Sequence, residues 1–98
     1  MKLLTKELIA SLPPLYSQEE VKDPIVRCKF FTPDSSWTWY AIEFDGVDTF
    51  FGLVDGFEEE LGYFSLKELE SVRGKLGLPI ERDLYFTPRA LSKVQRDK

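Results

Sequence analysis

The sequence has no histidine and a single cysteine, Cys28. Without histidine the chain lacks the commonest general base and the commonest metal ligand, which removes most hydrolase and zinc chemistry. A lone cysteine forms no internal disulfide. Long apolar runs are missing too: the longest charge-free stretch, Leu8 to Gln18, is interrupted by Pro13-Pro14, and Lys6-Glu7 closely follow Leu3-Leu4. Neither a membrane span nor a signal peptide is expected, so the reading is a cytoplasmic protein. Basic residues are absent from residues 30 to 66, which hold eight acids: Asp34, Glu43, Asp45, Asp48, Asp55, Glu58, Glu59 and Glu60. Residues 1 to 29 are nearly neutral and residues 67 to 98 are net basic. An acidic middle segment repels phosphate backbones, so direct nucleic-acid binding is disfavoured and a basic protein surface is the better partner.

What is present fits one domain, residues 1–98, since 98 residues with 43% hydrophobic and 31% charged content suit a single soluble core. Thr5 caps a short helix, Lys6 to Ser11, which Pro13-Pro14 ends. Alternation predicts a strand over Ile25 to Phe31, and aromatic and branched residues predict a second over Trp37 to Phe44. Asp45-Gly46 and Asp55-Gly56 are hairpin signals around a third strand, Thr49 to Val54, and a fourth, Glu59 to Phe64. Ser65-Leu66-Lys67-Glu68 is a capping box opening a helix over Leu66 to Arg73. Leu84-Tyr85-Phe86 reads as a further short strand and Thr87-Pro88 as the start of a C-terminal helical turn through Val94. The fold class is therefore α+β, an antiparallel β-meander of three to five strands packed with a capped helix and short terminal helices.

Turn lengths sort the side chains by face. A five-residue loop, Thr32 to Ser36, sets Lys29 opposite Trp39, and a two-residue loop after Asp45 sets Ile42 opposite Phe51 and Tyr40 opposite Leu53. One face then carries Val26, Cys28, Phe30, Tyr40, Ile42, Phe44, Phe51 and Leu53, expected to be the core beneath the capped helix. The other carries Arg27, Lys29, Phe31, Trp37, Trp39, Phe50 and Val54. That face is either covered by the N-terminal helix or the C-terminal tail, or a recognition surface, since aromatic residues supply large contact area at low entropic cost; Trp37, Trp39, Phe31 and Phe50, ringed by Arg27 and Lys29, are then the partner-binding candidates. Asp55, Glu58, Glu59 and Glu60 form a candidate acidic edge. Their spacing matches no calcium loop, and Gly74 to Gly77 is read as a helix stop. Cys28 is read as a small buried hydrophobe, and no cofactor, metal or catalytic residue is expected.

Several blocks carry a resemblance: Phe30-Phe31-Thr32-Pro33-Asp34-Ser35-Ser36-Trp37-Thr38-Trp39, Glu43-Phe44-Asp45-Gly46, Phe50 to Val54, Gly62 to Glu70, and Leu78 to Phe86. Through them the chain resembles the bacterial domain of unknown function 2958 family. The resemblance implies no activity and transfers no catalytic residue. It implies a setting among accessory genes of plasmids and other mobile elements. The expected function is a non-enzymatic protein-interaction module encoded by such an element. The alternative is an acidic, DNA-mimic-like inhibitor of a host defence or DNA-processing protein, and a small enzyme stands third.

Overall fold

A computed structural model describes residues 2–96. The chain runs α1 (Lys6–Ser11), β1 (Ile25–Val26), β2 (Cys28–Phe31), β3 (Thr38–Phe44), β4 (Thr49–Asp55), β5 (Glu59–Ser65), α2 (Leu66–Ser71), β6 (Glu81–Arg82), β7 (Arg89–Ala90) and α3 (Leu91–Arg96). Strands β5-β4-β3-β2-β6 form an antiparallel sheet in that order, and β1 pairs with β7 in a second, two-stranded sheet. The fold is α+β. Among the described residues no helix is long and apolar enough to cross a membrane.

Local chemistry explains the element ends. Thr5 Oγ1 accepts the Leu8 N–H at 3.2 Å at the start of α1. Ser65 Oγ accepts the Glu68 N–H at 3.3 Å and donates to Asp48 Oδ2 at 2.7 Å, while Asp48 Oδ1 accepts the Lys67 N–H. Thus the hairpin acid Asp48 joins Ser65 in capping α2. Helix α2 is shorter than expected because Arg73 leaves it to bridge Pro79 across a tight turn closed by Gly77 at φ +78°. Leu84 to Phe86 is not a strand. The sheet takes Glu81–Arg82 instead, because Lys29 and its neighbours offer a β2 edge that Asp83 then leaves through a bond to the Lys29 carbonyl. Nor does Thr87 cap the last helix: Arg89–Ala90 pairs with β1, and α3 is capped from afar by Asp23, which accepts both the Ser92 N–H and the Ser92 hydroxyl.

The faces differ from the expectation, for two reasons of register. The β2–β3 loop holds six residues, so Phe30 stands opposite Trp39 and Lys29 opposite Tyr40. A slip of one residue turns every β2 side chain over. Tyr40 does pair with Leu53, but an irregularity between Ala41 and Glu43 puts Glu43, not Ile42, opposite Phe51 and sends Phe44 to the face that Trp39 and Phe50 share. Both faces are consequently cores. One buries Cys28, Phe30, Trp39, Ala41, Phe44, Phe50 and Phe64 beneath the N-terminal segment (Leu3, Leu12), Leu69 of α2 and Ile80. The rings of Phe44, Phe50 and Phe64 stack at 4.4 and 5.0 Å there. Each fully buried Phe stabilises by about 1.5–3 kcal/mol relative to exposure. The opposite face buries Tyr40, Ile42 and Leu53 beneath Val26 and Leu91 and Val94 of α3.

Candidate functional site

The register change removes part of the expected binding face. Phe50 is fully buried and Trp39 nearly so, which leaves neither accessible as a contact anchor. Phe31, Lys29 and Arg27 are half-buried, and the register sets Lys29 opposite Tyr40 and Phe31 opposite Thr38, not Trp39. Lys29 lies 5.8 Å over the Tyr40 ring and 3.5 Å from Asp83 Oδ2, not against Trp39. The Arg27 amide donates to the Ala41 carbonyl, and Arg27 Nε is buried with no hydrogen-bond partner among the described residues.

Trp37 is different. Its ring stacks on Trp39 at 6.0 Å and meets Phe57 edge-on at 5.3 Å, with Phe57 itself 94% exposed. Gly56 makes the arrangement possible: a Cβ there would overlap the Trp37 ring. Trp37, Val54, Phe57, Glu58 and Glu60 line a shallow pocket of about 320 Å³, and on the other side of Trp37 a second, of about 430 Å³, includes Arg73 and Lys75. One expected aromatic anchor and two expected acids thus meet at one end of the sheet. Glu59 does not join them, because alternation directs it to the opposite face, where Glu59 Oε1 accepts the Gln95 side-chain amide at 2.8 Å. Asp55 lies opposite Glu59 in the ladder. Phe57 went unmarked in the sequence, since a single Phe after Asp-Gly reads as part of a turn.

A third concavity, about 470 Å³, lies between the 14–24 segment and β3–β5, with Tyr16, Val21, Leu61 and Tyr63 among its exposed lining residues. Its floor holds Glu43, 3% exposed, whose Oε1 accepts the Tyr16 N–H at 2.9 Å and whose Oε2 accepts the Gln18 N–H at 2.8 Å. Tyr16 sits at φ +69°, a conformation rare for a non-glycine residue, and packs 6.3 Å from Tyr63. Both carboxylate oxygens are used to fasten a loop, so Glu43 is a structural latch. No short-range pattern announces it, because its partners are 25 and 27 positions away.

The sequence profile of the family described as "Protein of unknown function (DUF2958)" matches residues 3–95. The chain belongs to that family. Comparison with curated proteins and with solved structures finds no significant match. The match spans the whole DUF2958 sheet and both of its covers, from Leu3 on one face to Val94 on the other.

Two further acids of this DUF2958 domain, Asp45 and Asp34, are committed to backbone amides. Asp45 Oδ1 accepts the N–H groups of Val47, Asp48 and Thr49, which holds its carboxyl below the usual aspartate range through the Asp48 and Val47 bonds above all. Asp34 Oδ2 accepts the Leu76 N–H at 2.6 Å and pins the 74–77 turn. Asp45 and Asp48 stand at one end of the β3–β5 meander and Asp55, Glu58 and Glu60 at the other, so no continuous rail of charge runs along the sheet. Cys28 is buried, and burial pushes its thiol up to about 12 against the opposing pull of Arg82.

Proposed function

We propose that this DUF2958 domain is a non-enzymatic protein-interaction module acting in the bacterial cytoplasm, in the mobile-element setting that the family resemblance implies. The observation that carries the reading is Phe57, held almost wholly in solvent against Trp37 and flanked by Glu58 and Glu60. An almost fully exposed Phe packed on a half-buried Trp is an apolar patch of the kind that marks interaction sites. Trp and its neighbours form typical energetic centres of interfaces, with charges at the rim. The partner is a protein segment presenting an apolar side chain to Phe57 and Trp37 and a Lys or Arg to Glu58 and Glu60.

A random peptide library selected on the wild-type domain tests this. The expected result is a consensus pairing an apolar with a basic residue, lost with Phe57→Ala or Trp37→Ala while the fold is retained. No consensus, or one indifferent to Phe57→Ala, would sink the proposal.

A further inference from the structure

Strand β5 is an edge of the main sheet, and among the described residues no strand pairs with its outer side. Native edges are usually blunted by Lys, Pro, a bulge or a cover. This one pairs with β4 without irregularity over seven positions, contains neither Lys nor Pro, and carries its charges only at its start, leaving Leu61 to Ser65 uncharged. The direction of its backbone groups follows from the ladder. Leu66 N–H donates to the Asp48 carbonyl and Asp45 N–H to the Thr49 carbonyl, so Glu60, Gly62 and Phe64 exchange hydrogen bonds with β4. The N–H and C=O groups of Leu61 and Tyr63 therefore point outward, and their side chains, 52% and 55% exposed, lie together on one face.

We propose that β5 pairs antiparallel with β5 of a second copy of this chain, about a two-fold axis at Gly62, to make one continuous ten-stranded sheet. The strand is self-complementary under that operation. Gly62 faces Gly62 of the second copy as a pair without hydrogen bonds, at a Cα separation of about 4.5 Å. On either side, the outward groups of Leu61 meet those of the second copy's Tyr63, in the bonded register that the ladder requires. Leu61 and Tyr63 are then cross-strand apolar neighbours. Like charges do not meet: Glu60 falls opposite Phe64, and the acidic start of each strand, with Glu58, lies toward the other copy's Lys67, just past the strand's end. The space above Gly62 is open, since a Cβ there would meet nothing within 4 Å. A two-fold contact of this kind uses the same patch on both copies and closes on itself, which stops growth at two.

The test is sedimentation equilibrium of the whole chain over a concentration series, with amide exchange followed by NMR across the same series. Expected are a monomer–dimer equilibrium and exchange at Leu61 and Tyr63 slowed on the order of tenfold in the dimer, with Gly62, already bonded to β4, little changed. The double variant L61K/Y63K is expected to remain folded and monomeric. A chain that stays monomeric throughout overturns the proposal, as does a dimer in which Leu61 and Tyr63 exchange unslowed or which L61K/Y63K leaves intact. If the double variant fails to fold, exchange in the wild-type chain decides alone.

Discussion

The Gln18 N–H donates to Glu43 Oε2 at 2.8 Å, tying a loop to the floor of the sheet across 25 positions of chain. Together with the Tyr16 bond, this uses both oxygens of a carboxylate that is 3% exposed. In Glu43→Gln the amide keeps one acceptor and turns a second donor toward an N–H. The substitution is expected to cost about 1–3 kcal/mol. Denaturant unfolding should read that loss, and the Tyr16 and Gln18 amides should exchange faster in the native state. Unchanged stability would mean that the latch is not closed in solution.

Stability should fall in acid with a defined sign. Asp48 is held below the ordinary aspartate value of 3.8 by the Ser65 hydroxyl and then the Lys67 N–H. Asp23 is lowered likewise by the Ser92 hydroxyl and N–H, and Asp45 by the N–H groups of its turn. A carboxyl with a lowered folded pKa binds fewer protons folded than unfolded, so its contribution is present above 3.8 and lost as pH drops through the folded value. Melting temperatures should be flat near neutrality and fall below pH about 4. Asp48→Asn should be less stable at neutrality and lose less on acidification, and a parallel pH curve for that variant would contradict the assignment.

Cys28 should be inert in the native protein. Its thiol is buried and pushed up to about 12, so almost no thiolate exists near neutrality. A thiol reagent should label it rapidly in denaturant and only through unfolding otherwise. Rapid native labelling would place Cys28 outside the core.

Glu58 and Glu60 flank the Phe57 pocket from an exposed rim. Replacing both by Gln should change stability by less than about 0.5 kcal/mol. Binding of a basic-apolar peptide should weaken at low salt through a slower on-rate and be nearly unaffected at high salt. Loss of binding at high salt would make the carboxylates, not Phe57 and Trp37, the centre of recognition.

The elements with local causes were legible: the α1 span, the Ser65 cap, the hairpin carboxylates and the α+β class each follow from a few adjacent residues. What failed was register. One extra loop residue before Thr38 and the irregularity near Ile42 are small in sequence, yet each reverses a set of side chains, which brought Cys28, Phe30 and Phe44 onto the face of Trp39 and Phe50 and made it a core. Trp37 escaped because it precedes the strand. The cover over Tyr40, Ile42 and Leu53 was illegible for another reason: it is built by Leu91 and Val94, which reach the sheet through pairing with Ile25–Val26 and the Asp23 cap.

That late cover bears on synthesis. During translation the N-terminal segment, with Leu3 and Leu12, leaves the ribosome before the sheet it will cover, whereas Leu91 and Val94 leave it after every strand of that sheet. A nascent meander complete through β5 therefore has one face already partly covered by Leu3 and Leu12 and the other bare, with Tyr40, Ile42 and Leu53 exposed until Leu91 and Val94 arrive. Chains emerge at about 5–20 residues per second, so the bare face persists for seconds, long enough for a chaperone to find it or for neighbouring nascent chains to stick.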